Sequence, residues 1–394
     1  MTEPLTGARA TLAEAAGWRP APDYRWSEGF ARHTLPDTDT SEIVARVHDV
    51  LEAEHVTYPD EESLVRRCVT ALLVGHLILQ GPPGSGKTTL ARALARAFRT
   101  TLVSSTATSD WSPFQVVGGL RPGRGGGLEP MLGVVPRAAL ACAEALRLRK
   151  EVAAEDSDDA AKAPVAAWLL IDEFNRADID KAIGSLYTLL SSSDPEHVAT
   201  TPLDLWFEDD EACKRLWVPA CFRIVGTMND LDTNSVSPMS QGLRRRFQFV
   251  TVGVPSEGGT EAEPVSTEVR QALAGAVDWL KRTYSQEPDP EAQEVQDALT
   301  VVQEVLDGLR RPTDTGVDGW PVGTAQVVDV LRVFLLSGPS AGTTALDVAV
   351  ADRLVAQMNT ITKSQYEVFV NLMETRGLVT SAQELRHLYR PYTV

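Results

Sequence analysis

The chain is 394 residues long, 43% apolar and 23% charged, with a formal net charge of −17. That length suits two or three domains around a large core, and the acidity argues against a protein that coats nucleic acid over its whole surface, although a local basic groove stays open. No apolar run approaches a membrane span, and Met1-Thr2-Glu3-Pro4 lacks the basic-then-apolar pattern of a signal peptide.

Residues 1–39 hold Pro, Asp, Thr and the aromatics Trp18, Tyr24 and Trp26 without a clear period. They read as an irregular arm packed on the body or on a neighbouring subunit. Ser41 is placed to cap a helix with Ile43, Val44, Val47, Val50 and Leu51 on one face. Tyr58-Pro59-Asp60 reads as a turn and Glu62–Val74 as a second helix.

Leu77-Ile78-Leu79 then predicts a strand. It runs into Gly81-Pro82-Pro83-Gly84-Ser85-Gly86-Lys87-Thr88, a full G-x-x-x-x-G-K-[ST] pattern, and Leu90–Ala97 predicts a helix after it. Strand, glycine-rich turn and helix are the context this motif needs to bind a nucleotide phosphate. Glycines let backbone N–H groups face phosphate oxygens with no Cβ in the way. The helix adds its free N–H groups and the positive end of its dipole. Lys87 is the cation for the β- and γ-phosphates, and the Thr88 hydroxyl suits Mg²⁺. Thr89 completes the nucleotide-binding set.

Thr101–Ser104 reads as a further strand. Arg121 to Gly127 has loop chemistry, and either a hairpin projecting Arg124 or a surface loop fits it. Ala138–Leu148 is helical by composition, and the acidic Glu151–Lys162 stretch reads as a solvated insertion. The run Val165-Ala166-Ala167-Trp168-Leu169-Leu170-Ile171 ends in Asp172-Glu173, which reads as a buried parallel strand with carboxylates at its C-terminal edge, where ligands sit in doubly wound sheets. Downstream of the phosphate loop, Asp172 is placed to hold Mg²⁺ and Glu173 to polarise the attacking water. Phe222–Asn229 is another buried strand ending in a polar residue, with Asn229 within reach of a γ-phosphate or the water. In Leu243-Arg244-Arg245-Arg246-Phe247 the arginines form either a solvated helix end or a cluster reaching a phosphate on another subunit. Phe247 should anchor that end in the core and aim Arg246 outward.

Beyond Val254 a Gly-, Glu- and Pro-rich linker, Pro255–Pro264, marks a domain boundary. Amphipathic patterns follow at Val269–Leu280, Val295–Leu309, Ala325–Leu336, Leu346–Gln357 and Tyr366–Met373, the mark of a small all-helical domain. Cys68, Cys142, Cys213 and Cys221 have no C-x-x-C spacing and read as reduced thiols in a cytoplasmic protein. The dispersed histidines argue against a zinc site.

The order of phosphate loop, Asp-Glu strand, Asn strand, arginine cluster and helical C-terminus resembles the AAA+ ATPases. Ile171-Asp172-Glu173-Phe174-Asn175-Arg176-Ala177 is similar to the signature of their MoxR/McrB branch. Gly118-Gly119-Leu120-Arg121-Pro122, Val218-Pro219, Gly226-Thr227-Met228-Asn229 and Leu243–Phe247 are closer in wording to the McrB type, the GTPase motor of methylation-dependent restriction. The resemblance covers roughly residues 40–390. It implies an α/β P-loop fold, a doubly wound parallel sheet with a C-terminal helical lid, and domains at 1–39 (arm), 40–254 (large nucleotide-binding) and 255–394 (lid). Within it Lys87 and Thr88 bind phosphates and Mg²⁺, Asp172 and Glu173 form the Walker B pair, Asn229 is sensor 1, and Arg245 and Arg246 are fingers acting on a neighbouring subunit's nucleotide. Arg176 is a further interface candidate. Two departures matter. Asp230-Leu231-Asp232-Thr233 replaces the Thr-Ala-Asp-Arg that follows Met-Asn in McrB proteins, so ATP is favoured over GTP. At the sensor 2 turn, Thr324-Ala325-Gln326 is neutral, leaving that role missing or with Arg332.

The leading expectation is a Mg²⁺-dependent ring, hexameric, that drives a separate effector protein in a bacterial antiviral, restriction-like system. A MoxR-like chaperone that remodels a partner or assists cofactor insertion is the alternative, together with a nucleotide-locked scaffold. A nucleic-acid translocase, with Arg121, Arg124 and Arg137 lining a pore, is not favoured by the acidic balance.

Overall fold

The computed structural model describes residues 28–123, 126–154, 163–229, 239–254, 264–312, 316–317, 319–339, 342–358 and 360–389. Trp18, Tyr24, Trp26 and Arg124 lie outside the described residues, as do the 230–233 departure and most of the expected acidic insertion and linker. The chain divides into two compact units. One holds the described parts of Met1–Val47, Val65–Gln80 and Thr88–Thr251; the other holds those of His48–Leu64, Gly81–Lys87 and Val252–Val394. The linear division 1–39, 40–254 and 255–394 is a proposal, and the compact units differ from it in that His48–Leu64 and Gly81–Lys87 fall in the helical one.

The helices α1 (Thr40–Ala53) and α2 (Glu61–Val74) precede the first strand. Ile43, Val44, Val47 and Leu51 are buried, as their spacing predicts. The cap is Asp39, not Ser41: Asp39 Oδ1 accepts the amides of Ser41 at 2.9 Å and Glu42 at 3.1 Å. A carboxylate satisfies two orphan amides there and also faces the positive helix end. Of the N-terminal stretch, Ala31 and Leu35 are buried, and the carbonyls of Ala31 and His33 accept the amides of Ala220 and Cys221.

The first unit is built on β1 (His76–Gly81), which the phosphate loop joins to α3 (Lys87–Ala97), and on β2 (Thr100–Thr106). A hairpin of β3 (Gly118–Pro122) and β4 (Leu128–Leu132) follows, then α4 (Val134–Ala154), β5 (Ala166–Asp172), β6 (Ile224–Asn229) and β7 (Phe247–Thr251). The sheet order is β2-β5-β6-β1-β7, with β2–β5, β5–β6 and β1–β7 paired parallel. Leu77, Ile78, Leu79, Leu169, Leu170, Ile171 and Val225 are all buried, which is why these strands read as unbroken apolar runs. Trp168 is fully buried on β5, and its indole N–H donates to Cys221 O at 2.9 Å. Arg223 is buried beside it and donates to the carbonyls of Leu72, Ala220 and Phe222; burial pulls its guanidinium down to about 10. The residues after Gly118 form the hairpin rather than a plain loop. Arg121 lies within β3, opposite Glu129, and Leu128 is 65% exposed.

The second unit is helical beyond Val252: α5 (Thr267–Tyr284), α6 (Gln293–Arg310), α7 (Thr324–Ser337), α8 (Thr343–Arg353), α9 (Lys363–Thr375) and α10 (Val379–Leu388). The last has no counterpart among the expected elements. The apolar stripes converge on one core that includes Val269, Leu280, Leu299, Leu306, Val327, Leu331, Phe334, Leu346 and Phe369. An ion pair is sealed into it. Arg310 donates to Glu268 Oε2 at 2.6 Å and to Oε1 at 2.8 Å, and the side chains are 5% and 6% exposed. Thr324 Oγ1 donates to the same carboxylate at 2.6 Å. Removing one partner strands a buried charge, so Glu268→Ala should cost about 3–5 kcal/mol. Urea unfolding checks this, and a loss no larger than that of a surface substitution would contradict it.

Candidate nucleotide site

The phosphate loop, Gly81–Lys87, belongs to the second unit. Gly84 (φ +78°) and Gly86 (φ +82°) are left-handed, a conformation an L side chain pays strain to adopt. Pro82, Pro83 and Ser85 complete the turn. The Lys87 ammonium folds back on it, donating to Gly81 O at 3.0 Å and Pro82 O at 2.7 Å, with Ser85 Oγ 3.5 Å away. The Tyr58 hydroxyl donates to Gly86 O at 2.9 Å, a contact the sequence reading missed. Lys87, Thr88 and Thr89 open α3, so their amides belong to the first turn, whose N–H groups have no partner within the helix.

In the other unit the carboxylates stand at the C-terminal end of β5. Thr88 Oγ1 donates to Asp172 Oδ1 at 3.1 Å. The Thr227 hydroxyl donates to the same oxygen and accepts the Glu173 amide at 3.3 Å. Thr227 was not singled out from sequence, although it sits two residues before Asn229 and therefore shares its strand face. Glu173 is left-handed (φ +55°, ψ +41°), which costs a non-glycine residue roughly 1–2 kcal/mol. The reversal brings its carboxylate to β6, where Asn229 Nδ2 donates to Oε1 at 3.1 Å and Oε2 at 3.0 Å. Arg176 Nε lies 3.2 Å from Oε2, so this arginine pairs within its own chain. Asn175 is buried and donates to Asn229 O at 3.0 Å, while its own Oδ1 has no partner among the described residues. The structure thus brings Thr88, Asp172, Glu173, Asn229 and Arg176 together, and adds Thr227 and Asn175.

The arginine cluster resolves residue by residue. Ser240 caps the helical turn Gln241–Arg244, and Asp180 accepts from both the amide and the hydroxyl of Ser240 and from the Tyr187 hydroxyl. Burial raises the Asp180 carboxyl, and these hydrogen bonds outweigh it, leaving the group below the usual carboxylate range. Phe247 is buried, as expected. Arg246 is not aimed outward. Its Nε donates to Tyr187 O at 2.7 Å, its Nη1 donates to Gly242 O, and the guanidinium lies over the Tyr187 ring at 4.3 Å. Arg244 lies over Phe249 at 5.6 Å. Arg245 is exposed, and among the described residues no acceptor holds its guanidinium. Arg332 is engaged elsewhere in the helical unit, by Asp329 at 3.1 Å and by the Trp279 ring at 4.9 Å.

Residues 76–247 match the family model described as AAA domain (dynein-related subfamily). The chain is 26% identical over 238 residues to the type IV methyl-directed restriction enzyme EcoKMcrB subunit of Escherichia coli, covering 58% of this chain and 46% of that protein. It is 24% identical over 261 residues to the chaperone MoxR1 of Mycobacterium tuberculosis, covering 64% of this chain and 56% of that one. The matched region thus spans about half the length of these relatives. The matched model covers β1 to the start of β7, the same residues that carry the parallel sheet and its carboxylate edge. Residues 76–247 therefore match an AAA domain, and this part of the chain is similar to proteins of both the McrB and the MoxR kind.

Proposed function

We propose that the chain is a Mg²⁺-dependent ATP hydrolase that works as a ring of six subunits and drives a separate partner protein in a restriction-like antiviral system of the cytoplasm. The observation that carries this reading is the carboxylate edge of the sheet: Asp172 beside the Thr88 hydroxyl, and Glu173 held by Asn229. Lys87 and the amides of Gly81–Thr89 would bind the phosphates. Thr88 and Asp172 offer a hydroxyl and a carboxylate oxygen 3.1 Å apart, hard donors of the kind that suits Mg²⁺ and its retained waters. Bound there, Mg²⁺ would neutralise charge on the phosphate oxygens. Glu173 would take the proton of the attacking water, and Asn229, which already donates to that carboxylate, would orient the pair. Arg245 is the finger this geometry favours, since Arg246 is bound by its own chain.

A chaperone reading draws on the MoxR1 similarity, which extends over 261 residues. Nucleic acid is a weaker partner. In the hairpin Arg121 faces Glu129 across the strands, so its described part is not a uniformly basic surface. Among the described residues no helix is long and apolar enough to cross a membrane.

Turnover by the purified chain, with ATP and GTP compared at fixed Mg²⁺, tests the reading. Lys87→Ala should weaken nucleotide binding and abolish hydrolysis. Unchanged turnover in that variant would remove the loop from the active site. ATP should give the higher kcat/KM; a clear preference for GTP would reverse that assignment and bring the chain nearer to a restriction GTPase.

A further inference from the structure

Within its unit the phosphate loop is met by the first residues of α7. Gly323 precedes that helix, and a Cβ built on it would lie 1.9 Å from Gly84 O and 2.1 Å from Gly84 C. Gly323 has φ −85° and ψ +157°, ordinary extended values, so backbone conformation does not demand glycine here. The close approach of two backbones does. Gln326 lies against the same loop residue: a Cβ on Gly84 would meet Gln326 Oε1 at 2.9 Å and Cγ at 3.1 Å.

The Gln326 side chain is also the centre of an amide chain. It is 7% exposed. Its Oε1 accepts the Gly323 amide at 2.8 Å, and its Nε2 donates to Gln357 Oε1 at 2.6 Å. Gln357 in turn donates to Arg353 O at 2.7 Å, at the end of α8. One uncharged side chain therefore touches the loop, the start of α7 and the turn Val355–Gln357.

We infer that Gln326 is a positioning residue of the nucleotide site, which sets Gly84 and passes the loop's response to bound phosphate on to residues 355–357. The inference rests on the reading of Gly81–Thr88 as the phosphate-binding loop. Its physical content is the absence of charge. A cation at this position would tie the helical unit to the phosphates, and an anion would repel them. An amide can follow the loop through a hydrogen-bond rearrangement, and Gln357 can turn its own amide to match.

Gln326→Glu tests whether this side chain stands against the bound phosphates, and Gly323→Ala tests the relay to residues 355–357. Glutamate keeps the shape and the acceptor for the Gly323 amide; it loses the donor to Gln357 Oε1, which Gln357 replaces by turning its own amide, and a carboxylate in the first turn of α7 suits the helix dipole. A Gln326 remote from the bound phosphates thus predicts parental Tm and parental affinity. A positioning role predicts parental Tm with a Kd for a fluorescent ADP or ATP analogue raised about tenfold or more, an effect that shrinks as salt is raised. A second variant, Gly323→Ala, keeps an allowed backbone and forces the two segments apart. In the parent, nucleotide should slow amide hydrogen exchange at residues 324–328 and 355–358. In Gly323→Ala nucleotide should still bind, but the protection at 355–358 should be lost. Parental affinity in Gln326→Glu, or retained protection in Gly323→Ala, would overturn the inference alone. A parent chain that binds no nucleotide would overturn it together with the reading of the loop.

Discussion

Glu173→Gln should keep nucleotide binding and lower turnover by about 10²–10⁴-fold, the usual range for a lost general base. The substitution is nearly isosteric, so the left-handed turn at position 173 and the reach to β6 are retained. The new amide still offers one oxygen to Asn229 Nδ2, which in the parent donates to both carboxylate oxygens. Its other end carries an NH₂, which cannot take a proton and no longer attracts Arg176, now 3.2 Å from Oε2. Binding should survive because Lys87 and the loop amides are untouched. Phosphate release and the affinity for a fluorescent ATP analogue, measured on one preparation, separate the two effects. With binding intact and hydrolysis lost, the variant should accumulate as a nucleotide-bound assembly on size-exclusion chromatography. Parental hydrolysis would assign water activation to another group.

The fold was legible wherever a local pattern had only one physical outcome. The apolar runs of β1 and β5 are buried on both faces, so they carry their own evidence, and the glycines of the loop name the backbone they need. The carboxylate edge followed, because Asp172 and Glu173 end a run that has to stop at the sheet's edge. Long-range contacts were not legible. Three successive arginines look alike in sequence, and what separates them is Tyr187, 59 residues from Arg246, whose carbonyl and ring bind one guanidinium. The same limit hid the Tyr58 hydroxyl on Gly86 O, the Asn175 amide on Asn229 O and the Gly323 backbone on Gly84. The neutrality of Gln326 was visible, but its place against the loop was not. Asp39 and Ser41 are both good cap residues two positions apart, and only the geometry chooses between them.

Arg245→Ala should abolish turnover while leaving folding and nucleotide affinity near parental. The expected loss is about 10³–10⁵-fold, the range for an arginine finger in phosphoryl transfer. Arg245 suits this role because its backbone ends the turn capped by Ser240 and is held by hydrogen bonds to Gln241 O and Leu243 O, while its side chain is exposed. The backbone is held and the guanidinium is exposed. Arg246→Ala should behave differently. It removes the donors to Tyr187 O and Gly242 O and the stack on the Tyr187 ring, so it should lower Tm and loosen the turn that carries Arg245. Mixing Arg245→Ala with Lys87→Ala subunits gives the sharper result. In mixed rings some intact Lys87 sites face an intact Arg245 from the Lys87→Ala neighbour. If subunits exchange and a single interface can fire, part of the activity should return although neither variant works alone. Full activity of Arg245→Ala with loss in a well-folded Arg246→Ala would move the finger to Arg246, which would then have to leave Tyr187 when the neighbour docks. If neither substitution changes turnover, and Arg176→Ala does not either, hydrolysis does not depend on a neighbouring subunit's arginine and the ring model fails.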